Sequence, residues 1–279
     1  MTTVQMSADG ATPQPIDRRG VEQYLDGRHA VVTGGSRGIG LAIARALIRH
    51  GARVTIMGRS PDTLEAQATE LARTFRTDVN AVSCDVTSAS AVTDAFDVAV
   101  TRFGAVSVLV NNAGVANSMA FGDTSLAAWE QTLAVNLTGP FLCTQQVLPA
   151  MLDAGAGRIV NIASTAALKG YMRTAAYCAS KHGVLGLTRA LAVETAKHGI
   201  TVNAVCPGYT DTDIVSSATQ NLVTALGKTD AEARAMLSRP IPRGVLTLPD
   251  EVASAVVWLC SPLAAAVTGI ALPVAGGEV

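Results

Sequence analysis

The strongest constraint on the fold is an alternation along the chain between short apolar runs and segments of helical length. The first run, residues 30–32, precedes a periodic segment over residues 41–50, and the next run, residues 53–57, precedes a helix that extends to about residue 75. Continuous apolar runs are typical of strands that helices cover on both faces. Because parallel strands are joined by crossover helices, the pattern predicts an α/β fold with a parallel sheet.

Five further runs bring the predicted number of strands to seven. Right-handed crossovers between them predict one doubly wound, Rossmann-type sheet flanked by helices. Pro273 lies within the last run, which predicts that this strand lies at an edge of the sheet or ends there. The further runs cover residues 79–84, 106–110, 158–163, 201–205 and 269–274. Helices are predicted over residues 89–103, 137–152, 177–198 and 249–259. A further helix is predicted to begin at about residue 125 and to run beyond residue 129, and an irregular helical region is predicted over residues 211–238.

The chain has no internal repeat, low-complexity tract or compositional break that would mark a linker. We therefore expect one domain over residues 27–279, preceded by a flexible N-terminal extension over residues 1–26. The extension lacks the apolar core of a secretion signal, and no run of 18 apolar residues without charge predicts a membrane span.

Composition excludes several classes of function. Hydrophobic residues make up 49% of the 279 residues and charged residues only 15%, which argues against disorder. The net charge is −1 without a basic run, which argues against a nucleic-acid surface. The five cysteines are widely spaced among apolar residues, so they indicate reduced core thiols of a cytoplasmic protein. No Cys-x-x-Cys or His-Glu-x-x-His motif indicates a metal site.

A glycine-rich turn joins the first predicted strand to the first helix. Glycine permits positive φ and lets a phosphate approach the backbone, while the helix start offers free N–H groups and a positive dipole end. The spacing is Gly-x-x-x-Gly-x-Gly rather than Gly-x-Gly-x-x-Gly, and the surrounding strand and helix favour a dinucleotide site over a turn that serves only packing. The candidate ligands in this turn are Gly34, Ser36, Arg37, Gly38, Ile39 and Gly40.

The end of the second strand bears on which dinucleotide would bind. An acidic residue there selects NAD, whereas arginine accommodates the 2′-phosphate of NADP. The sequence has Arg59 and no Asp or Glu at this strand end, and Arg37 of the glycine turn could reach the same phosphate. The two arginines favour NADP(H), with NAD(H) remaining possible.

Tyr177 and Lys181 share one face of the predicted helix over residues 177–198, because they stand four residues apart. An ammonium beside a phenol favours the phenolate and is expected to lower its pKa from about 10. Such a tyrosine could exchange a proton with a substrate oxygen near neutral pH. On its own the pair could equally be a helix-end tyrosine and a solvated charge.

With these residues in place, the chain from about residue 28 onward resembles the short-chain dehydrogenase/reductase family. Within this family, the sequence most resembles bacterial 3-oxoacyl reductases and aromatic polyketide ketoreductases. The resemblance rests on Thr33-Gly34-x-x-x-Gly38-x-Gly40, Asn111-Asn112-Ala113-Gly114, Asn136, Ser164, Tyr177-x-x-x-Lys181 and Pro207-Gly208, in that order along the chain.

The resemblance implies a role for each of four residues. Tyr177 would be the acid/base at the carbonyl oxygen, and Lys181 would lower its pKa and bind the nicotinamide ribose. Ser164 would hold the substrate oxygen, and Asn136 would hold a water that joins Lys181 to solvent. Further implied cofactor contacts are Asp85, Val86, Asn112, Ala113, Gly114, Pro207, Gly208, Thr210 and Thr212.

Two departures from the family pattern bear on assembly and substrate. The common C-terminal Val-Asp-Gly-Gly has Ala275 in place of the aspartate, which could alter a subunit contact. Carrier-protein reductases dock the acidic carrier with arginines, and the matching positions are Gly155 and His198. This favours a coenzyme A thioester or a free ketone over a carrier-bound substrate.

The sequence therefore predicts an oxidoreductase that interconverts a ketone and a secondary alcohol, most simply by NADPH-linked reduction of a 3-oxoacyl thioester or related ketone. Two alternatives are an NAD-linked alcohol or 3-hydroxyacyl-CoA dehydrogenase and a non-catalytic, cofactor-binding regulatory protein. A pocket of low charge is expected from residues 115–121, 165–171 and 209–240. The family resemblance implies a homotetramer, with no nucleic-acid or membrane partner.

Overall fold

The computed structural model of the chain describes residues 23–279, except for the side chains of residues 214, 217, 218, 221, 225 and 226. Most of the extension expected over residues 1–26 lies outside the described residues. Within its last residues, Leu25 is fully buried and its amide donates to the carbonyl of His50 at 3.0 Å. At least one residue before residue 27 therefore packs against the folded domain.

Seven strands form one parallel sheet in the order β3-β2-β1-β4-β5-β6-β7, which confirms the predicted doubly wound fold. The last strand lies at an edge, as Pro273 predicted, and the first strand is buried along its whole length. The strands are β1 His29–Thr33, β2 Arg53–Gly58, β3 Val79–Ser83, β4 Val106–Asn111, β5 Gly157–Ile162, β6 Ile200–Pro207 and β7 Ala271–Val274.

Nine α-helices are found among the described residues, and they cover both faces of the sheet. They are α1 Gly38–Arg49, α2 Pro61–Phe75, α3 Ala89–Phe103, α4 Leu126–Leu133, α5 Gly139–Ala154, α6 Ala175–Thr195, α7 Asp213–Leu226, α8 Asp230–Ser238 and α9 Pro249–Cys260. No helix within residues 23–279 is long and apolar enough to cross a membrane.

The core has two main layers, one on each face of the sheet. Val31 belongs to one layer and Val32 to the other, because successive side chains of a strand point to opposite faces. Residues of α1 and α9 complete one layer, and residues of α3 and α5 complete the other. This double cover explains why the strands read as continuous apolar runs.

Three helical predictions need correction. The region 211–238 is two regular helices, α7 and α8, with a capping box at Thr229 that begins the second one. The helix predicted over 137–152 is α5, preceded by a π-helical turn over Ala134–Thr138. The helix predicted over 177–198 begins two residues earlier, at Ala175, and passes into a 3₁₀ turn over Ala196–His198.

The topology fixes where a ligand can bind. The chain builds outward from β1 in one direction and from β4 in the other, so the order reverses between these two neighbouring strands. In open parallel sheets the crevice at the carboxyl ends of such strands is the usual ligand site. The glycine-rich turn and Asn111-Asn112-Ala113-Gly114 both lie at this point.

Candidate functional site

The glycine-rich turn forms an open cradle at the start of α1. Gly34 has φ of +64°, a conformation that L side chains rarely adopt. A Cβ at Gly40 would lie 2.1 Å from the carbonyl oxygen of Gly34, so no side chain fits there. No side chain caps α1 at Arg37, and its first turn has no acidic residue. The first N–H groups of the helix and its positive dipole end therefore suit a phosphate.

The end of β4 holds this turn in place. The amide side chain of Asn112 donates to the carbonyls of Thr33 at 3.0 Å and Gly34 at 3.1 Å. In return, the Thr33 hydroxyl accepts the backbone N–H groups of Asn112 and Ala113, each at 3.0 Å. The Asn112 amide is thus committed to the turn, and the adjoining Gly114 is exposed.

Charged groups surround the ends of β2 and β3. Arg59 is exposed directly after β2 and lies near Asp85, whose carboxylate accepts the backbone N–H and hydroxyl of Thr87. These two hydrogen bonds hold the pKa of Asp85 below its usual value, and the charge of Arg59 acts in the same direction. Val86 is buried and packs where α5 begins, at Gly139, so it forms a wall rather than a polar contact.

Tyr177 and Lys181 lie one helical turn apart on α6, as predicted. Lys181 is buried, its Nζ lies 5.7 Å from the centroid of the Tyr177 ring, and it donates to the carbonyl of Ile162 at 2.8 Å. Burial lowers the pKa of Lys181 to about 8. Lys181 therefore remains mostly cationic at neutral pH, in a place where its charge is poorly solvated.

The predicted depression of the Tyr177 pKa is wrong for this structure. Burial raises the pKa of the Tyr177 phenol above its usual value, and a hydrogen bond with the Ser164 side chain opposes this increase only in part. Burial is the largest cause of the increase, and the Lys181 ammonium donates to the Ile162 carbonyl. Tyr177 consequently holds its proton at neutral pH.

Ser164 follows β5 and meets Tyr177 from the sheet. Its Oγ accepts the backbone N–H of Ala166 at 3.1 Å, which caps the short 3₁₀ turn over Thr165–Ala167. This bond uses one acceptor site of Oγ and leaves the hydroxyl proton for the hydrogen bond with Tyr177 or for another acceptor. The structure therefore brings Ser164, Tyr177 and Lys181 together, as the sequence predicted.

Asn136 is buried in the π-helical turn and does not point freely into the site. Its side chain accepts the N–H of Val115 and donates to the carbonyl of the same residue, each at 2.9 Å, and also donates to Ser180 Oγ at 3.1 Å. A Cβ at Gly114 would lie 3.3 Å from Asn136 Oδ1 and 3.7 Å from Lys181 Nζ. Asn136 and Lys181 thus both border Gly114.

The loop after β6 closes the crevice from the other side. Pro207 is the last residue of β6, and the hydroxyl of Thr210 turns back to the carbonyl of Gly208 at 3.0 Å. The side chain of Thr212 lies across the glycine turn, 3.3 Å from where a Cβ of Gly38 would stand. At the same place Arg37 pairs with Asp213 at 3.8 Å, both side chains being exposed.

These features fit a dinucleotide. At Gly40 the cradle has room only for backbone. The helix start is uncapped and cationic side chains lie nearby, which together suit the pyrophosphate of a dinucleotide. Among residues 23–279, no group of three or more His, Cys, Asp or Glu side chains could hold a metal ion. All five cysteines are described and free, and Cys178 is only half-buried, unlike the other four.

Sequence reasoning missed a cluster of residues beside the site. The side chain of Glu278 is 1% exposed and contacts Lys169 and Tyr171 on the loop between β5 and α6. A single charge near the C-terminus gives no sequence signal of burial. Tyr171 was foreseen only as part of a pocket wall of low charge, and this carboxylate beside it corrects that description.

Comparisons with known proteins agree with this geometry. The sequence model of the family described as short chain dehydrogenase matches residues 28–222. A D-threitol dehydrogenase of Mycolicibacterium smegmatis is 40% identical over 253 residues, which cover 91% of this chain and 93% of the relative. The 3-oxoacyl-(acyl-carrier-protein) reductase FabG of Aquifex aeolicus is 37% identical over 257 residues, covering 92% and 99% of the two chains.

A solved structure agrees as well. A variant of the actinorhodin polyketide ketoreductase, crystallised with NADPH, superposes with a TM-score of 0.87 at 42% identity, covering 90% of this chain and 97% of that chain. The range matched by the family model includes the glycine turn, strands β1 to β6 and the Ser164, Tyr177 and Lys181 positions. The chain therefore belongs to the short chain dehydrogenase family of oxidoreductases.

Proposed function

We propose that the protein reduces a ketone to a secondary alcohol with NADPH, and that Tyr177 donates the proton. The observation that carries this proposal is the Tyr177 phenol, which hydrogen-bonds to the Ser164 side chain and has the Lys181 ammonium 5.7 Å from its ring centroid. Reduction requires an acid at the carbonyl oxygen, and a phenol whose pKa is raised by burial is in its acid form at neutral pH. When bound, NADPH supplies the hydride.

Each neighbouring residue has a proposed part in this reaction. Ser164 orients the substrate oxygen through its hydroxyl proton, since its acceptor side already holds Ala166. Lys181 binds the nicotinamide ribose and stabilises negative charge that develops on Tyr177 as its proton leaves. Asn136 supports the route by which a proton returns, through its position beside Gly114 and Lys181.

The preference for NADPH is supported by the charges at the adenosine end. Arg37 and Arg59 are exposed near this end, and β2 ends at Gly58 without a carboxylate that could bind ribose hydroxyls. The similar actinorhodin ketoreductase was solved with NADPH. Asp213 already pairs with Arg37, so the 2′-phosphate would replace this carboxylate as the partner of the guanidinium.

A 3-oxoacyl thioester or a related ketone is the proposed substrate. The similarity to a carrier-protein reductase and a polyketide ketoreductase supports a 3-oxoacyl group. The absence of arginine at Gly155 and His198 favours a coenzyme A thioester or free ketone over a carrier-bound one. Gly155 follows α5 with φ of +62° and its carbonyl abuts Gly199, so backbone rather than an arginine side chain occupies the position of Gly155.

We also propose a homotetramer in the cytoplasm. Support comes from apolar side chains exposed on α4, α5 and α6, where Leu126 is 71%, Phe141 44% and Val193 83% exposed. Such side chains are candidates for burial between subunits. The five free thiols support a reducing compartment.

Titration of NADPH and NADH against the parent protein, Arg37→Ala and Arg59→Ala tests the cofactor assignment. A charged hydrogen bond contributes about 1.5–3 kcal/mol. Each substitution should therefore weaken the binding of NADPH by roughly tenfold or more and leave the binding of NADH nearly unchanged. Arg73→Ala is the matched control, because Arg73 is exposed on α2 and pairs with Glu70 of the same helix. Tighter binding of NADH by the parent protein would refute the assignment.

A panel of 3-oxoacyl coenzyme A thioesters, a 3-oxoacyl carrier protein and free ketones, followed by NADPH oxidation, tests the reaction itself. Turnover of the coenzyme A thioester or free ketone is expected to exceed that of the carrier-bound substrate. No oxidation with any ketone, together with reduction of NAD by an alcohol, would instead favour the NAD-linked dehydrogenase.

A further inference from the structure

The C-terminal tail places a buried carboxylate next to the substrate side of the crevice. Glu278 is the penultimate residue, yet its side chain is only 1% exposed. Its Oε2 is buried without a hydrogen-bond partner. Burying a charged group is costly unless it is paired, so the partners of this carboxylate determine what its burial does.

Two residues on the loop between β5 and α6 contact the side chain of Glu278. Oε1 accepts the Tyr171 hydroxyl proton at 2.6 Å and lies 3.3 Å from Lys169 Nζ. Lys169 Nζ also donates to the backbone carbonyl of Glu278 at 3.0 Å. Tyr171 OH is in turn 2.6 Å from Thr165 Oγ1. Short bonds to an ionised acceptor are among the stronger hydrogen bonds in proteins.

This chain of contacts ends beside two residues of the proposed site. Thr165 directly follows Ser164 and is itself buried. On the other side, Glu278 Oε2 lies 2.9 Å from where a Cβ of Gly208 would stand, in the loop after β6. Tyr209 packs edge-on against Tyr171, with ring centroids 6.4 Å apart. The carboxylate thus joins the loop after β5 to the loop after β6.

We propose that Glu278 is a positioning residue for the ketone substrate, which fixes Ser164 and the Tyr171 wall of the pocket through Tyr171 and Thr165. The inference rests on the proposed function, because it assigns Ser164 to the substrate oxygen. Loss of the carboxylate frees the loop that carries Ser164 and leaves the glycine turn and Arg59, which bind the other end of the cofactor, untouched. Because Glu278 also borders Gly208, an implied cofactor contact, the effect falls more strongly on ketone binding than on NADPH binding.

The test compares Glu278→Ala, Glu278→Gln and Tyr171→Phe, with Glu194→Gln, an exposed glutamate on α6, as the matched control. Glu278→Ala should raise KM for the ketone about tenfold, and it should change kcat and the Kd of NADPH by clearly smaller factors. Glu278→Gln should be milder, because its amide oxygen can still accept the Tyr171 proton. The double variant Glu278→Gln with Tyr171→Phe should change KM by less than the two single variants combined, since the two residues share one hydrogen bond.

An unchanged KM for the ketone in both Glu278 variants would overturn the proposal. A rise in the Kd of NADPH by the same factor as the rise in KM would also overturn it and leave Glu278 with a purely structural role. Should Glu278→Ala fail to fold, Glu278→Gln and Tyr171→Phe carry the same comparison. The proposed function fails separately, if Tyr177→Phe retains turnover. Wild-type KM in the Glu278 variants beside an inactive Tyr177→Phe would refute this inference alone.

Discussion

The side chain of Asn136 holds both backbone polar groups of Val115, accepting its N–H and donating to its carbonyl at 2.9 Å each. The same amide donates to Ser180, whose hydroxyl donates to the carbonyl of Tyr177 at 2.7 Å. One buried amide therefore joins the π-helical turn, the segment after β4 and the helix of Tyr177. Asn136 is buried within this turn, and single π-helical turns are frequently found at functional sites.

Replacement of Asn136 by Ala should destabilise the fold and lower activity together. Two buried backbone groups of Val115 would lose their partners, which costs about 2–3 kcal/mol in the free energy of unfolding. The loosened segment borders Lys181, so kcat should fall as well. Urea unfolding and steady-state kinetics measure the two effects. Asn117→Ala is the control, because Asn117 is exposed in the same segment, and equal behaviour of the two variants would contradict the role of Asn136.

Tyr177→Phe removes the proposed proton donor and keeps the ring. General acid catalysis contributes roughly 10²- to 10⁴-fold, so kcat should fall by a factor in this range while the Kd of NADPH changes little. Single-turnover oxidation of NADPH by a ketone measures the loss. The control is Tyr24→Phe, since Tyr24 stacks on His50 far from the crevice, with ring centroids 5.8 Å apart. Full activity of Tyr177→Phe would refute the proposed reaction.

Much of the architecture could be predicted because it depends on local patterns. The seven strands follow from apolar runs, and the site at the carboxyl edge follows from the glycine turn and the parallel topology. The Tyr177 and Lys181 pair could be placed on one helix face from spacing alone. These features are dictated by residues near one another in the chain or by general rules of crossover handedness.

The pKa of Tyr177 and the burial of Glu278 could not be predicted, because both depend on contacts between distant segments. Spacing places an ammonium on the same helix face as the phenol, but only the fold shows that the Ile162 carbonyl engages that ammonium. Glu278 reaches Tyr171 across 107 residues of sequence. Burial that arises from such long-range packing leaves no periodic trace in the sequence.

Gly40→Ala should damage the cofactor cradle. Its Cβ would lie 2.1 Å from the Gly34 carbonyl oxygen and 2.5 Å from the Asn112 amide, so the backbone of the turn must shift. Overpacking of this kind costs about 1–3 kcal/mol of stability. The Kd of NADPH should rise by about tenfold or more, because the shifted backbone N–H groups no longer face the pyrophosphate.

Fluorescence titration of NADPH and thermal unfolding measure the two effects of this substitution. Gly122→Ala is a suitable control, because no heavy atom lies within 4 Å of the added Cβ and the backbone there is not left-handed. Unchanged NADPH affinity in Gly40→Ala would show that the turn does not form the phosphate site.

His29 should make the fold sensitive to mild acid. It is buried, with Nδ1 donating to the Gly104 carbonyl at 2.8 Å and Nε2 at 2.9 Å from the Thr55 hydroxyl, and burial lowers its pKa below 6.5. The unfolded chain therefore binds a proton first, and stability is lost as pH falls below about 6.5, by at most ~1.4 kcal/mol per pH unit. Carboxylates such as Glu251, with its pKa lowered to about 2, act only at lower pH. Urea unfolding between pH 5 and 8 should show this dependence of stability on pH. His29→Gln should flatten the slope, while the control His198→Gln should retain it. A slope in His29→Gln equal to that of the parent protein would assign the sensitivity to another group.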